Sequence, residues 1–306
     1  MSTIRHNLQF LLGLKLIGLA EPLGRGDALI EALRVTNDIA LRQKLLTPAL
    51  MEAVGGLEAQ ALLTDDALLY AQWSAELPAG PEVPLQLLSQ LLHWAGTFVN
   101  ALWLVKDNAV TFELGFLEVS APGRLPAWHS NFLAQSVQKA DGTKPRVVFT
   151  RAELRKAREI FRDILLPMAH AGDEEVHGPL KCSDALVTAN PAVPRLKRAM
   201  YFLSSARMNR DLGMKTAMYC SLLESLFSTD SNEITHKISH RIAMFLSGDV
   251  PARCSMYNQI KKAYNIRSKV VHGDSISTEA AKSIGDISTG LDEICRTVLT
   301  RICCDP

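Results

Sequence analysis

Apolar positions along this chain follow two different rhythms. From residue 195 onward they keep a three-to-four residue period, as in Ile234, Ile238, Ile242 and Phe245 and again in Ile284, Ile287, Leu291, Ile294, Val298 and Ile302. That spacing predicts helices near 195–208, 212–228, 233–247, 253–271 and 278–303, which together make an all-α bundle. Before it the rhythm is mixed. An apolar run at Leu8–Ala20 reads as a strand or short helix, and helical patterns come next around Asp27–Leu46 and Pro48–Leu63. Strand-like stretches at Thr111–Val119 and Arg146–Phe149 are rich in β-branched and aromatic residues, with Asp141-Gly142 as a turn between the second and Ser136-Val137. Thr150-Arg151-Ala152-Glu153 has the form of a capping box opening a helix through about Leu165. The fold class expected is α+β: an N-terminal mixed domain followed by an all-α bundle.

Leu85–Val105 is long and apolar enough to suggest a membrane span, but its polar residues argue otherwise. Gln86, Gln90, His93, Thr97 and Asn100 recur at i, i+4, i+7, i+11 and i+14, which marks one wet face of an amphipathic helix. The Leu8–Ala20 run is interrupted by Lys15 and followed by no small-residue cleavage site, so a cytoplasmic protein with no membrane partner is expected.

Punctuation by Pro167, Gly172, Gly178, Pro179, Pro191 and Pro194 places the domain boundary between 166 and 194. The expected division is a sensing or regulatory domain over 1–180, a linker over 181–194 and a helical domain over 195–306. Charge respects this division: residues 195–306 hold 16 Lys and Arg against 11 Asp and Glu, while residues 1–194 hold 17 against 21. A basic C-terminal module permits an anionic partner. The six cysteines show no C-x-x-C spacing and read as reduced thiols.

One helix in the basic half carries an anomaly. Met256, Ile260, Ala263 and Val270 align as an apolar stripe, and Arg267 falls in its middle. A guanidinium stays charged, so Arg267 must face a carboxylate, a subunit interface or a bound anion. His272, five residues on, lies roughly 140° away on an uninterrupted helix. The two converge only if the helix stops near Val271, which Gly273 as a C-cap favours, or if they come from two copies of the chain. On spacing alone the pair reads equally as an arginine paired with an acid and a histidine near a helix C-terminus. Glu224 is a carboxylate for either role; pairing with Arg267 or Arg241 is the expected one.

Other constellations carry less. Arg151, Arg155, Arg158 and Arg162 form a stripe that can track a phosphate backbone, but Glu159 and Asp163 within helical reach favour a salt-bridged face. His236 and His240 have a zinc-compatible spacing, yet Lys237 and Arg241 beside them repel a dication, so no metal and no cofactor is expected. Phosphate-binding loops, dinucleotide fingerprints and serine or zinc hydrolase motifs do not occur.

Three ordered blocks then carry a family likeness: Ser221-Leu222-Leu223-Glu224-Ser225-Leu226-Phe227, Ile238-Ser239-His240-Arg241-Ile242-Ala243, and Tyr264-Asn265-Ile266-Arg267-Ser268-Lys269-Val270-Val271-His272-Gly273. Together they resemble a HEPN domain of the Apea-like group over the last 110 or so residues. The run Leu102–Asn108 is similar to regions that accompany such domains. The resemblance implies an all-helical module that dimerises, joining the arginine and histidine of both copies in one cleft. It further implies a metal-independent endoribonuclease of phage defence, abortive infection or toxin-like stress response, with Arg267 and His272 as the signature pair. Ser268 stands where many members carry Asn, Asp or His.

The chemistry suits these residue types. RNA is cut when its own 2′-hydroxyl attacks phosphorus, which needs proton transfer and charge stabilisation but no external nucleophile. An imidazole supplies the first and a guanidinium fork the second. Lys261, Asn265 and Lys269 would hold the phosphate backbone from the polar side of the same helix, with Ser268 and Arg241 in support. Two functions are open: a homodimeric endoribonuclease cutting RNA at an Arg/His site, with an activating ligand or protein at the N-terminal domain, or a non-catalytic module for dimerisation and nucleic-acid or nucleotide binding.

Overall fold

The computed structural model describes residues 4–78, 80–133, 136–170, 187–188, 193–229 and 234–304. It is α+β, with a sheet-containing N-terminal part and a helical C-terminal part. The chain divides into two units: Met1–Gln135 with Pro145–Leu166, and Ser136–Lys144 with Pro167–Pro306.

The first unit is built on strand β1 (Ile4–Leu14), which pairs antiparallel with both β5 (Ala67–Leu77) and β6 (Leu114–Ser120). With β3 (Asp27–Ala28), β4 (Leu33–Thr36) and β7 (Ala127–Phe132) they form one sheet of order β3-β4-β5-β1-β6-β7. β2 (Ile17–Leu19) and β8 (Val147–Phe149) make a separate parallel pair. Leu8–Ala20 thus supplies the second half of β1 and, after a break at Lys15-Leu16, β2; the β1 part is apolar with little alternation because both of its faces are covered. On one face Leu11, Tyr70 and Phe116 pack with Leu45, Leu46, Leu50 and Leu62 from α1 (Ile39–Leu45), α2 (Pro48–Val54) and α3 (Gly56–Thr64). On the other lies α4 (Val83–Val105), which comes so close that a Cβ at Gly115 would sit 2.7 Å from Leu92.

Gln86, Gln90 and His93 are exposed along α4, while Leu88, Leu91, Ala95, Phe98 and Leu102 are buried. Among the described residues no helix is long and apolar enough to cross a membrane.

The expected helix over Asp27–Leu46 is corrected to a two-strand hairpin and one short helix. Its true start signal lies inside the run: the Asp38 carboxylate accepts from the Leu41 amide at 2.8 Å and caps α1. The helical pattern over Pro48–Leu63 is likewise two helices, divided at Gly55, whose φ of 93° only glycine adopts readily. The capping box at Thr150 forms as expected, opening α5 (Arg151–Ile160). Its Glu153 also binds Lys106 at 2.7 Å. α5 runs into a π-helical segment, Phe161–Leu165, and then α6 (Leu166–His170). In the arginine stripe, Arg151 pairs with Asp27 at 3.2 Å and Arg162 with Asp163 at 2.6 Å.

In the second unit the expected helices are found as α7 (Arg195–Met208), α8 (Leu212–Phe227), α9 (Ile234–Leu246), α10 (Val250–His272) and α11 (Thr278–Cys304). α8 is the central one, packing against each of the other four. Every residue of α8 is buried or half-buried, including Lys215 and Thr216. Ser136–Lys144 is also part of this unit, although it precedes β8 in sequence. Asp141-Gly142 does form a turn, but it joins no strand to Ser136-Val137. The linker expected at 181–194 lies outside the described residues except for 187–188 and 193–194, as does Cys182. Cys220, Cys254 and Cys295 are free thiols.

One carboxylate in the first unit is held in an unfavourable setting. Asp65 folds over Gly13 of β1, where a Cβ would approach its Oδ2 to 1.9 Å. Burial pushes the Asp65 carboxyl up to about 6, against the pull of Lys15 and Arg42. A carboxyl whose folded pKa exceeds its unfolded value contributes most below the unfolded pKa, and that contribution is lost as pH rises through about 6. Asp65→Asn is therefore expected to stabilise the protein by on the order of 1 kcal/mol at pH 8, with the gain vanishing towards pH 4. Urea unfolding of both proteins across this range measures the difference.

Candidate functional site

The residues singled out from sequence sit on two sides of α10. At about 100° per residue, Lys261, Asn265, Ser268 and His272 recur at i, i+4, i+7 and i+11 and form one stripe, flanked by Lys269. All five are exposed. The opposite side, carrying Ile260, Ala263 and Tyr264, is buried against the bundle.

Arg267 belongs to the buried side. Its guanidinium reaches across to Glu224 of α8, Nη2 to Oε2 at 3.3 Å, which is the carboxylate its misplaced position demanded. The pair is only partly satisfied, since Arg267 Nε and Glu224 Oε1 are buried without hydrogen-bond partners. Burial pushes the Glu224 carboxyl up, opposed by Arg267 and by the Tyr264 hydroxyl. Tyr264 donates to the Cys220 carbonyl at 3.3 Å, fastening α10 to α8 beside the ion pair. Further along, a Cβ at Gly213 would lie 2.8 Å from Val270 Cγ2, so glycine lets the two helices approach there.

α10 does not stop short of the histidine. It remains helical through His272, and Gly273 then ends it in the left-handed conformation at φ 78°. The Gly273 amide donates to the Val270 carbonyl at 3.3 Å and the Asp274 amide to the Lys269 carbonyl at 2.8 Å, the two bonds of a Schellman motif. Arg267 and His272 consequently remain about 140° apart on one continuous helix, and a single chain does not bring them together. Of the two routes to convergence, early termination is removed.

Arg241 stands apart as well. From α9 it donates to the Phe227 carbonyl at 2.5 Å and to Thr229 Oγ1 at 2.9 Å, so its guanidinium clamps the C-terminal end of α8. His236 Nδ1 lies 3.0 Å from the Tyr257 hydroxyl. Among the described residues no cluster of three or more His, Cys, Asp or Glu is placed to hold a metal.

A groove of about 750 Å³ runs between α10 and the start of α11. Asn258, Lys262, Asn265 and Lys269 line its α10 wall, and Glu279 and Asp286 face them from α11. Asn258 and Lys262 were not selected from sequence, though the signal was present: with Asn265 and Lys269 they keep the i, i+4, i+7, i+11 spacing. Asn265 and Lys269 belong to both the groove and the histidine stripe, so the two surfaces are continuous.

No family model, curated protein or solved structure matches the chain.

Mutation of the Arg267–Glu224 pair acts on stability before it acts on any chemistry. Arg267→Ala leaves a half-buried carboxylate without its counter-charge and is expected to cost about 1–2 kcal/mol, whereas Arg267→Met combined with Glu224→Leu should recover most of that loss. Thermal unfolding of the single and double variants tests it; equal stability of wild type and Arg267→Ala would show the pair to be inconsequential.

Proposed function

We propose that the chain is a HEPN-type, Apea-like endoribonuclease effector that acts as a homodimer, with its N-terminal α+β unit in a sensing role. The observation that carries the reading is the exposed stripe of Lys261, Asn265, Ser268 and His272 at the end of α10, with Lys269 beside it and the groove adjoining. Two ammonium groups and an amide suit the phosphates of a single strand, and an accessible imidazole beside them suits proton transfer to or from a 2′-hydroxyl. His272 serves as general acid or base. Arg267 of a second copy, part-exposed beside Glu224, supplies the guanidinium that steadies the phosphorane. Such cleavage needs no metal and leaves 2′,3′-cyclic phosphate ends. It suits a cytoplasmic role in prokaryotic phage defence or a toxin-like response.

An activating ligand would find a hollow of about 380 Å³ on the first unit's sheet, lined by Asn7, Gln9, Gln72, Ser74, Glu118 and Ser120. The side chains there are already ordered: Gln72 donates to Gln9 at 2.6 Å and Ser74 to Asn7 at 2.7 Å.

The binding-module alternative draws support from a specific feature. Arg267 is tied to Glu224, and a stripe with histidine but no free guanidinium at hand can grip RNA or a nucleotide without cutting it.

His272 is the informative residue to change, because it is exposed and is not among the buried residues of α10. In EDTA, wild type is expected to cleave labelled RNA but not DNA or 2′-O-methyl RNA, and His272→Ala to lose roughly a thousandfold or more of the rate. The same His272→Ala protein should retain RNA affinity within a few-fold, while Lys261→Glu with Lys269→Glu loses it. If wild type and His272→Ala bind RNA equally and neither cuts, the catalytic reading gives way to the binding module.

A further inference from the structure

The connection between β7 and β8 departs from the first unit and enters the helical one. Ser136–Lys144 clusters there with the helices, and Val137 and Ala140 are almost completely buried. Three consecutive residues of this strap each tie down a different helix. The Gln138 amide donates to the Arg207 carbonyl at 3.0 Å, at the end of α7. The Lys139 carbonyl accepts from Lys215 Nζ at 3.0 Å, in the first turn of α8. The Ala140 carbonyl accepts from Ser288 Oγ at 2.7 Å, on α11.

The strap is also locked onto itself. The Gly142 amide donates to the Lys139 carbonyl at 3.0 Å and the Lys139 amide to the Thr143 carbonyl at 2.9 Å. Thr143 donates from its amide and hydroxyl to Asp141 Oδ1 at 2.9 and 2.7 Å, and Gly142 adopts a φ of 83° that makes the turn possible. This rigid turn presents backbone carbonyls as fixed acceptors to two wholly buried donors, Lys215 and Ser288. A buried ammonium gains from such an acceptor, because a buried donor left without a hydrogen bond is costly.

From these contacts we infer that the strap is a positioning pin for α8 and, through α8, for the functional end of α10. The link is short. Lys215 lies two residues after Gly213, whose missing side chain admits Val270 of α10, and Val270 lies between Arg267 and His272. Where the strap sets the first turn of α8, it therefore sets the last turns of α10. In sequence the strap falls between β7 and β8, although its contacts are with the helices of the second unit. The pin goes beyond the RNase reading and holds whether the stripe on α10 cuts RNA, binds it or does neither.

Hydrogen exchange by mass spectrometry on the full chain tests it without RNA. Lys215→Met and Ser288→Ala are compared with wild type, and Ser288→Thr keeps the hydroxyl as the conservative control. Peptides covering 136–144, 212–220 and 264–274 are expected to exchange about tenfold faster or more in Lys215→Met and Ser288→Ala, with β1 and β5 unchanged and Ser288→Thr close to wild type. Faster exchange in the strap while 264–274 stays protected would overturn the inference. So would a uniform rise across both units, which marks general destabilisation. Should Lys215→Met fail to fold, the contrast between Ser288→Ala and Ser288→Thr decides alone.

Discussion

A helix buried on all sides has to find a partner for every polar side chain it carries, and α8 carries several. Lys215 and Tyr219 are fully buried, and Glu224 is half-buried. Each recruits a different neighbour. Lys215 holds the strap through the Lys139 carbonyl, Tyr219 donates to the buried Asp292 of α11 at 2.6 Å, and Glu224 takes Arg267 of α10. Asp292 is balanced in turn by Arg296 one turn further along α11. Apolar burial supplies most of the bundle's stability but is indifferent to rotation of one helix against another. These three directed contacts fix how the strap, α11 and α10 are placed around α8.

The same contrast explains what could be read from the sequence. All five C-terminal helices were legible because a stripe of apolar side chains declares its own period. The Arg267–Glu224 pair was legible too: an arginine inside that stripe requires a carboxylate, and Glu224 was at hand. Arg241 was not, because its guanidinium goes to the carbonyl of Phe227, and every residue has a carbonyl. The strap was hidden for the same reason, as Lys139 and Ala140 act through backbone oxygens that leave no mark in the sequence.

In the N-terminal unit the losses were of another kind. Ala67–Ala71 of β5 is buried on both faces and shows no alternation, so its period does not separate strand from helix. Alternation starts only at Gln72, where the sheet extends beyond the helices, and runs through Trp73, Ser74, Ala75 and Glu76. That second half was the available signal for β5. Over Asp27–Leu46, Leu29 and Leu33 have helical spacing, yet the Leu29 amide bonds the Leu33 carbonyl at 2.8 Å and closes a hairpin turn instead. Pairing of β4 with β5 outweighed the local period there.

The end of α10 makes one residue's position decisive. Each residue added to or removed from a helix rotates the side chains downstream of it by about 100°, so the place where Gly273 stops α10 determines which way His272 projects. Because the Schellman motif closes after His272 rather than before it, the histidine stays in register with Lys261, Asn265 and Ser268. That same register keeps it turned away from Arg267. Holding Arg267 against Glu224 and His272 towards solvent are therefore two results of a single unbroken helix. The proposed chemistry, which needs both groups on one phosphate, therefore calls for two chains, whereas the proposed recognition of a strand by the exposed stripe calls for only one.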